Sequence, residues 1–235
     1  MNQGTLALVG SGEYLPRMAP VDRLLLSRVP GEPRVVCLPT AAGAEGVETI
    51  GRWARMGVEY FTALGAQAEA VGVVDRATAD DEDRVAHIRA ANFVYLSGGK
   101  PDYLVDTLNG TRALAALHEV LERGGVVAGC SAGAMIWGEA IPRFRLGALF
   151  QPAFRRVPNA VIVPHFDEMP SLLVRLLHRL IGPRVLVGIE GNTALMVAED
   201  GYSVVGAGGV TVWNSRGKVR YTDGQAVDLT PRPLP

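Results

Sequence analysis

"VVAGCSAGAMIWG" (Val126–Gly138) is the stretch from which the rest of the chain can be read. It opens on an apolar run that suits a buried strand and continues into small and apolar residues that suit a helix. Between the two lies Gly129-Cys130-Ser131-Ala132-Gly133, a G-x-S-x-G pattern in the strand–turn–helix setting that such a pattern requires. The sharp turn forces its central residue into a strained backbone conformation, and Gly129, Ala132, Gly133 and Ala134 are small enough to allow it. Ser131 is then expected at the carboxyl end of a sheet, where α/β proteins assemble their sites. The N–H of Ala132, at a helix N-terminus, would face a developing oxyanion. Cys130 takes the preceding position, which the turn directs away from the site.

Outward from this turn, short apolar runs alternate with helical patterns. "TLALVG" (5–10), "RVVCLP" (34–39), "AEAVGVV" (68–74) and "NFVYLSGG" (92–99) read as strands. "PVDRLLLSRV", "TADDEDRVAHIRAA" with Thr78 as its cap, and "TRALAALHEVLERGG" ending at Gly124-Gly125 read as helices. Strand–helix alternation predicts an α/β fold: a doubly wound, mostly parallel sheet with helices on both faces. After residue 185, strands separated by Asp200-Gly201, Ser215-Arg216-Gly217 and Asp223-Gly224 predict antiparallel hairpins closing one edge of that sheet near the C-terminus. No repeat or linker divides the chain, so a single domain over residues 1–235 is expected, with a short Pro-rich tail at 230–235.

Composition narrows the function. Of 235 residues, 48% are hydrophobic and 20% charged, as in an ordinary globular core and surface. The 23 basic and 24 acidic residues give a net charge of -1, which offers no attraction to nucleic acid or an anionic membrane. Two cysteines, Cys37 and Cys130, form no disulfide framework and suit a reducing, cytoplasmic setting. The N-terminus lacks the pattern of a signal peptide. The four histidines show no metal-ligand spacing, so neither a metal nor another cofactor is expected.

A serine needs a base. His165, in "VIVPHFDEM", follows a strand-like run and so sits at a carboxyl end, whereas His87, His118 and His178 lie in helices among polar neighbours. His165 is the candidate base. It follows Ser131 too soon, and with only Glu139 as an intervening acid, for the Ser–acid–His order of α/β-hydrolases.

These blocks resemble peptidase family S51, the dipeptidase E and cyanophycinase group of the class I glutamine amidotransferase-like superfamily. The similar stretches are "LVGSGE" (8–13), "YLSGGKPDYLVDTL" (95–108), "GCSAGAMIWG", "PHF" (164–166) and "GIEGNTALMV" (188–197). The resemblance implies Ser131 as nucleophile, His165 as general base, and the N–H groups of Gly99 and Ala132 as the oxyanion hole. It implies Glu190 as third triad member, with Asp167 as rival through its H-x-D spacing. Gly98 and Lys100 become candidate substrate-binding residues, and Lys100, Arg143 or Arg145 could pair with a carboxylate. The implied activity is a serine peptidase-like hydrolysis of a small peptide or amino-acid amide through an acyl-enzyme; a homodimer is compatible with this reading.

The chain also departs from the family pattern. Lys100 stands where Asn or Asp is common. "FDEMPSLLV" replaces the arginines that cyanophycinases carry behind the histidine, so a cyanophycin-type polymer is not expected. Two other functions stay open at this point: an amidotransferase using Cys130, and a non-catalytic binding protein of the same fold.

Overall fold

An all-apolar strand stays buried only if helices cover both faces of its sheet, and a parallel partner requires a crossover long enough to contain one. The computed structural model, which describes residues 4–143 and 149–229, follows this rule in its first half. The strands run β1 (Thr5–Val9), β2 (Arg34–Leu38), β3 (Gln67–Ala70), β4 (Phe93–Leu96) and β5 (Val126–Cys130). The second half holds β6 (Ala140–Pro142), β7 (Phe150–Pro152), β8 (Ala160–Pro164), β9 (Val185–Ile189), β10 (Thr193–Ala198), β11 (Gly201–Gly206), β12 (Gly209–Asn214) and β13 (Gly217–Thr222). The helices are α1 (Ala19–Leu26), α2 (Val47–Ala63), α3 (Arg76–Ala79), α4 (Glu82–Ala90), α5 (Pro101–Leu108), α6 (Arg112–Glu122), α7 (Ala132–Met135) and α8 (Ser171–Leu180).

Seven strands form the main sheet in the order β11-β10-β1-β5-β4-β2-β3. The five from β1 to β3 are mutually parallel, and β10 and β11 add an antiparallel edge beside β1. Helices α1 and α2 cover one face through an aromatic cluster that includes Tyr14, Phe61, Phe93 and Tyr95. Helices α4, α5 and α6 cover the other, packing Val85, Ile88, Leu104 and Leu117 against it.

The C-terminal hairpins do not all close one edge. β12 and β13 leave the main sheet and join β8 and β9 in a second sheet of order β13-β12-β9-β8, in which β8 and β9 are parallel. The chain changes sheet at Gly206, whose φ of +128° disfavours any other residue, and Gly208 N–H is tied to Thr193 Oγ1 at 2.8 Å. Helix starts also differ in detail. Thr78 lies inside α3, where it forms a capping box with Asp75, and Asp81 caps α4 by accepting the Arg84 N–H at 3.0 Å. A carboxylate aligned on free N–H groups caps at least as well as a hydroxyl.

Candidate active site

The turn after β5 is fixed from every side. Ser131 has φ 51° and ψ −111°, outside the regions side chains prefer. Its N–H donates to the Val9 carbonyl at 3.0 Å, and its carbonyl accepts the N–H groups of Ala134 and Met135 at 2.9 and 3.0 Å. A Cβ at Gly129 would strike the carbonyl of Gly133, and one at Gly133 would lie 2.5 Å from the carbonyl oxygen of Leu96. The glycines therefore let strand and helix approach closely enough to hold the serine upright at the end of the main sheet.

His165 follows β8 and stands at the carboxyl end of the second sheet, also with a positive φ, 72°. The two sheet ends meet there, and His165 Nε2 lies 2.9 Å from Ser131 Oγ. That distance is a hydrogen bond, with the ring placed to take the hydroxyl proton.

The carboxylates near this pair divide their tasks. Glu190, the expected third member, is held elsewhere: Arg220 donates to both of its oxygens at 2.6 Å, and this guanidinium keeps its carboxyl below the usual range. Asp167 Oδ1 accepts the Gly191 N–H at 2.9 Å. Glu168 reaches His165 Nδ1 at 3.5 Å, an ion-pair separation that is long for a hydrogen bond, from a side chain 65% exposed. The only signal of Glu168 in the sequence is its place three residues after His165, whose φ is positive.

Glu13 is the other residue sequence reading did not single out. Its Oε1 accepts the Gly98 N–H at 3.1 Å and its Oε2 accepts the Cys130 thiol at 2.9 Å. One carboxylate thus joins the double-glycine loop to the turn. Cys130 itself is fully buried, and burial followed by the Glu13 charge pushes its thiol well up, the reverse of an activated nucleophile. Gly98 is buried against Ser131, while Gly99 turns at φ 144° where a Cβ would meet the Ala41 carbonyl. The N–H groups of Gly99 and Ala132 have no partner among the described residues. Lys100 is exposed at the start of α5, with its own N–H bound to Ala41 O at 2.9 Å; Arg145 lies outside the described residues.

The model of peptidase family S51 matches residues 6–205, which include the serine turn, the double glycine and the histidine. The chain belongs to peptidase family S51. This S51 chain is 33% identical to a peptidase of known structure from an acI-B1 Actinobacterium, with a TM-score of 0.88 over 96% of this chain and 97% of that one. It is 27% identical to a cyanophycinase of Synechococcus elongatus over 97% of this chain and 73% of that protein. A putative peptidase E protein from Listeria monocytogenes EGD-e shares the fold at 19% identity, with a TM-score of 0.65 over 87% of this chain and 99% of that one. The family membership makes this S51 chain a serine-type peptidase or hydrolase. No helix among its described residues is long and apolar enough to cross a membrane.

Proposed function

We propose that this S51 chain hydrolyses the amide bond of a short peptide or amino-acid amide, with Ser131 as nucleophile and His165 as general base. The observation that carries the reading is the 2.9 Å contact between Ser131 Oγ and His165 Nε2, made by a serine whose backbone is locked. His165 takes the hydroxyl proton as Oγ attacks the carbonyl carbon. The N–H groups of Gly99 and Ala132 receive the oxyanion, His165 returns the proton to the departing amine, and water then releases the acyl group by the same steps reversed.

The imidazole is oriented chiefly by its own strained backbone and by the serine. Glu168 assists from solvent, and an exposed pair at 3.5 Å contributes little. Nothing supports the Cys130 alternative, because its thiol faces Glu13 in the core rather than the opening.

A panel of dipeptides that includes aspartyl and isoaspartyl members tests the proposal. Ser131→Ala is expected to lower kcat on the best substrate by on the order of 10⁶, while Cys130→Ala keeps most of it. The opposite ranking would sink the serine reading and restore the cysteine one.

A further inference from the structure

Beside the Ser131–His165 pair lies a cavity of about 370 Å³, within the range of small-molecule sites. Both residues form part of its wall, so whatever fills it touches the reacting atoms. The remaining wall is almost wholly apolar. α8 contributes Leu173, Leu176, Leu177 and Leu180, a one-face helical spacing, and Met135 and Met169 also line the cavity.

Leu177 also packs against the buried cluster of the second sheet, but Leu173, Leu176 and Leu180 are exposed. The side of α8 that packs on the second sheet presents Val174, buried with Val161, Val163 and Phe166, and stacks His178 on Trp213 at 4.2 Å. Leu176, by contrast, is 50% exposed and Leu173 47% exposed. An apolar surface left open beside a nucleophile is a binding surface rather than a packing one. No carboxylate lines the cavity among its described residues, and Arg143 is its sole permanent cation.

We infer that this cavity receives a large apolar side chain of the substrate, leucine- or phenylalanine-like, next to the scissile bond; the inference rests on Ser131 being the nucleophile proposed above. A soft wall of leucine and methionine accommodates several shapes, so the selection is for size and apolarity rather than for one residue. An acidic side chain is the competing occupant, because Arg143 could pair with it. It would gain one guanidinium and lose its water against many hydrocarbon groups, which is unfavourable.

Alkyl fluorophosphonates running from methyl to octyl separate the two claims. Ser131 Oγ forms the bond to phosphorus, fluoride leaves, and His165 takes the serine proton; mass spectrometry reads the adduct. The octyl reagent is expected to label at least about tenfold faster than the methyl one, from burial of the added methylenes. Leu176→Asp, at a half-exposed position with an intact fold checked by circular dichroism, should bring that ratio close to one. Among matched dipeptides, leucyl or phenylalanyl members should exceed aspartyl ones by about tenfold or more in kcat/KM. Labelling at a rate independent of chain length, or a preference for aspartyl peptides, overturns the cavity inference while leaving the serine reading standing. No labelling of Ser131 by any member of the series overturns both.

Discussion

The proposed nucleophile and the proposed base stand on different kinds of support. Ser131 ends a central strand of a seven-stranded sheet, with helices on both faces and glycines that admit no alternative spacing. His165 ends a strand of a four-stranded sheet whose covering helix, α8, still shows half-exposed leucines to solvent. The first region is over-determined by packing; the second is a thinner layer with exposed leucines on its covering helix. The proposed nucleophile thus belongs to the rigid layer, while the proposed base and most of the apolar cavity wall belong to the thinner one, so substitutions in the two layers are expected to differ in effect.

Gly99→Ala attacks the rigid side of this comparison most severely. The added methyl would press on the Ala41 carbonyl, at a φ of 144° that alanine avoids, and displace the loop N–H from the proposed oxyanion position. A fall in kcat of about 10²–10³ is expected, with KM changing little. A KM effect alone would mean that the loop binds substrate without stabilising the transition state.

The rigid side also carries a stored electrostatic cost. Asp22 is fully buried beneath the aromatic cluster, where it accepts the Tyr60 hydroxyl at 2.6 Å. Burial pushes its carboxyl up to about 7, against the smaller opposing effect of the Tyr60 hydrogen bond. The folded chain therefore keeps a proton that the unfolded chain releases, and stability declines as pH rises from about 4 towards 7. Asp22→Asn keeps the shape without the charge. It should leave stability at pH 4 nearly unchanged and raise it at pH 8 by up to about 4 kcal/mol, read by urea unfolding at both pH values. A variant equally destabilised at both would show that the carboxylate is paired in a way the geometry does not reveal.

On the thinner side, Glu168→Gln should lower kcat only a few-fold, matching an exposed pair worth about 1 kcal/mol or less. Glu190→Gln serves as its comparison, because it loosens Arg220 on β13 rather than touching the imidazole. If Glu190→Gln instead costs orders of magnitude while Glu168→Gln does not, Glu190 must leave Arg220 for His165 when substrate binds.

The same contrast decides what could be read from the chain alone. The turn was legible because its constraints are local: Gly129, Ser131 and Gly133 sit within five residues, and the apolar run before them names its own strand. His165 was legible because a histidine closing an apolar run is placed by that strand. The carboxylates were not. Glu190 stands where a triad acid belongs, but Arg220, thirty residues on, takes it through the β9–β12–β13 pairing, which periodicity does not disclose. Glu13 escaped notice for a similar reason, since its partners are 85 and 117 residues away. The split of the C-terminal hairpins into a second sheet was hidden as well, because turn residues announce a hairpin but not the sheet it joins.

Both members of the proposed reacting pair, Ser131 and His165, have a positive φ, which glycine adopts without strain. Glycine at such a position relieves roughly 1 kcal/mol or more of conformational strain per site. A glycine at either place should therefore give a chain that withstands heat better and does nothing. The margin in melting temperature would measure what it costs the fold to keep these two side chains facing each other.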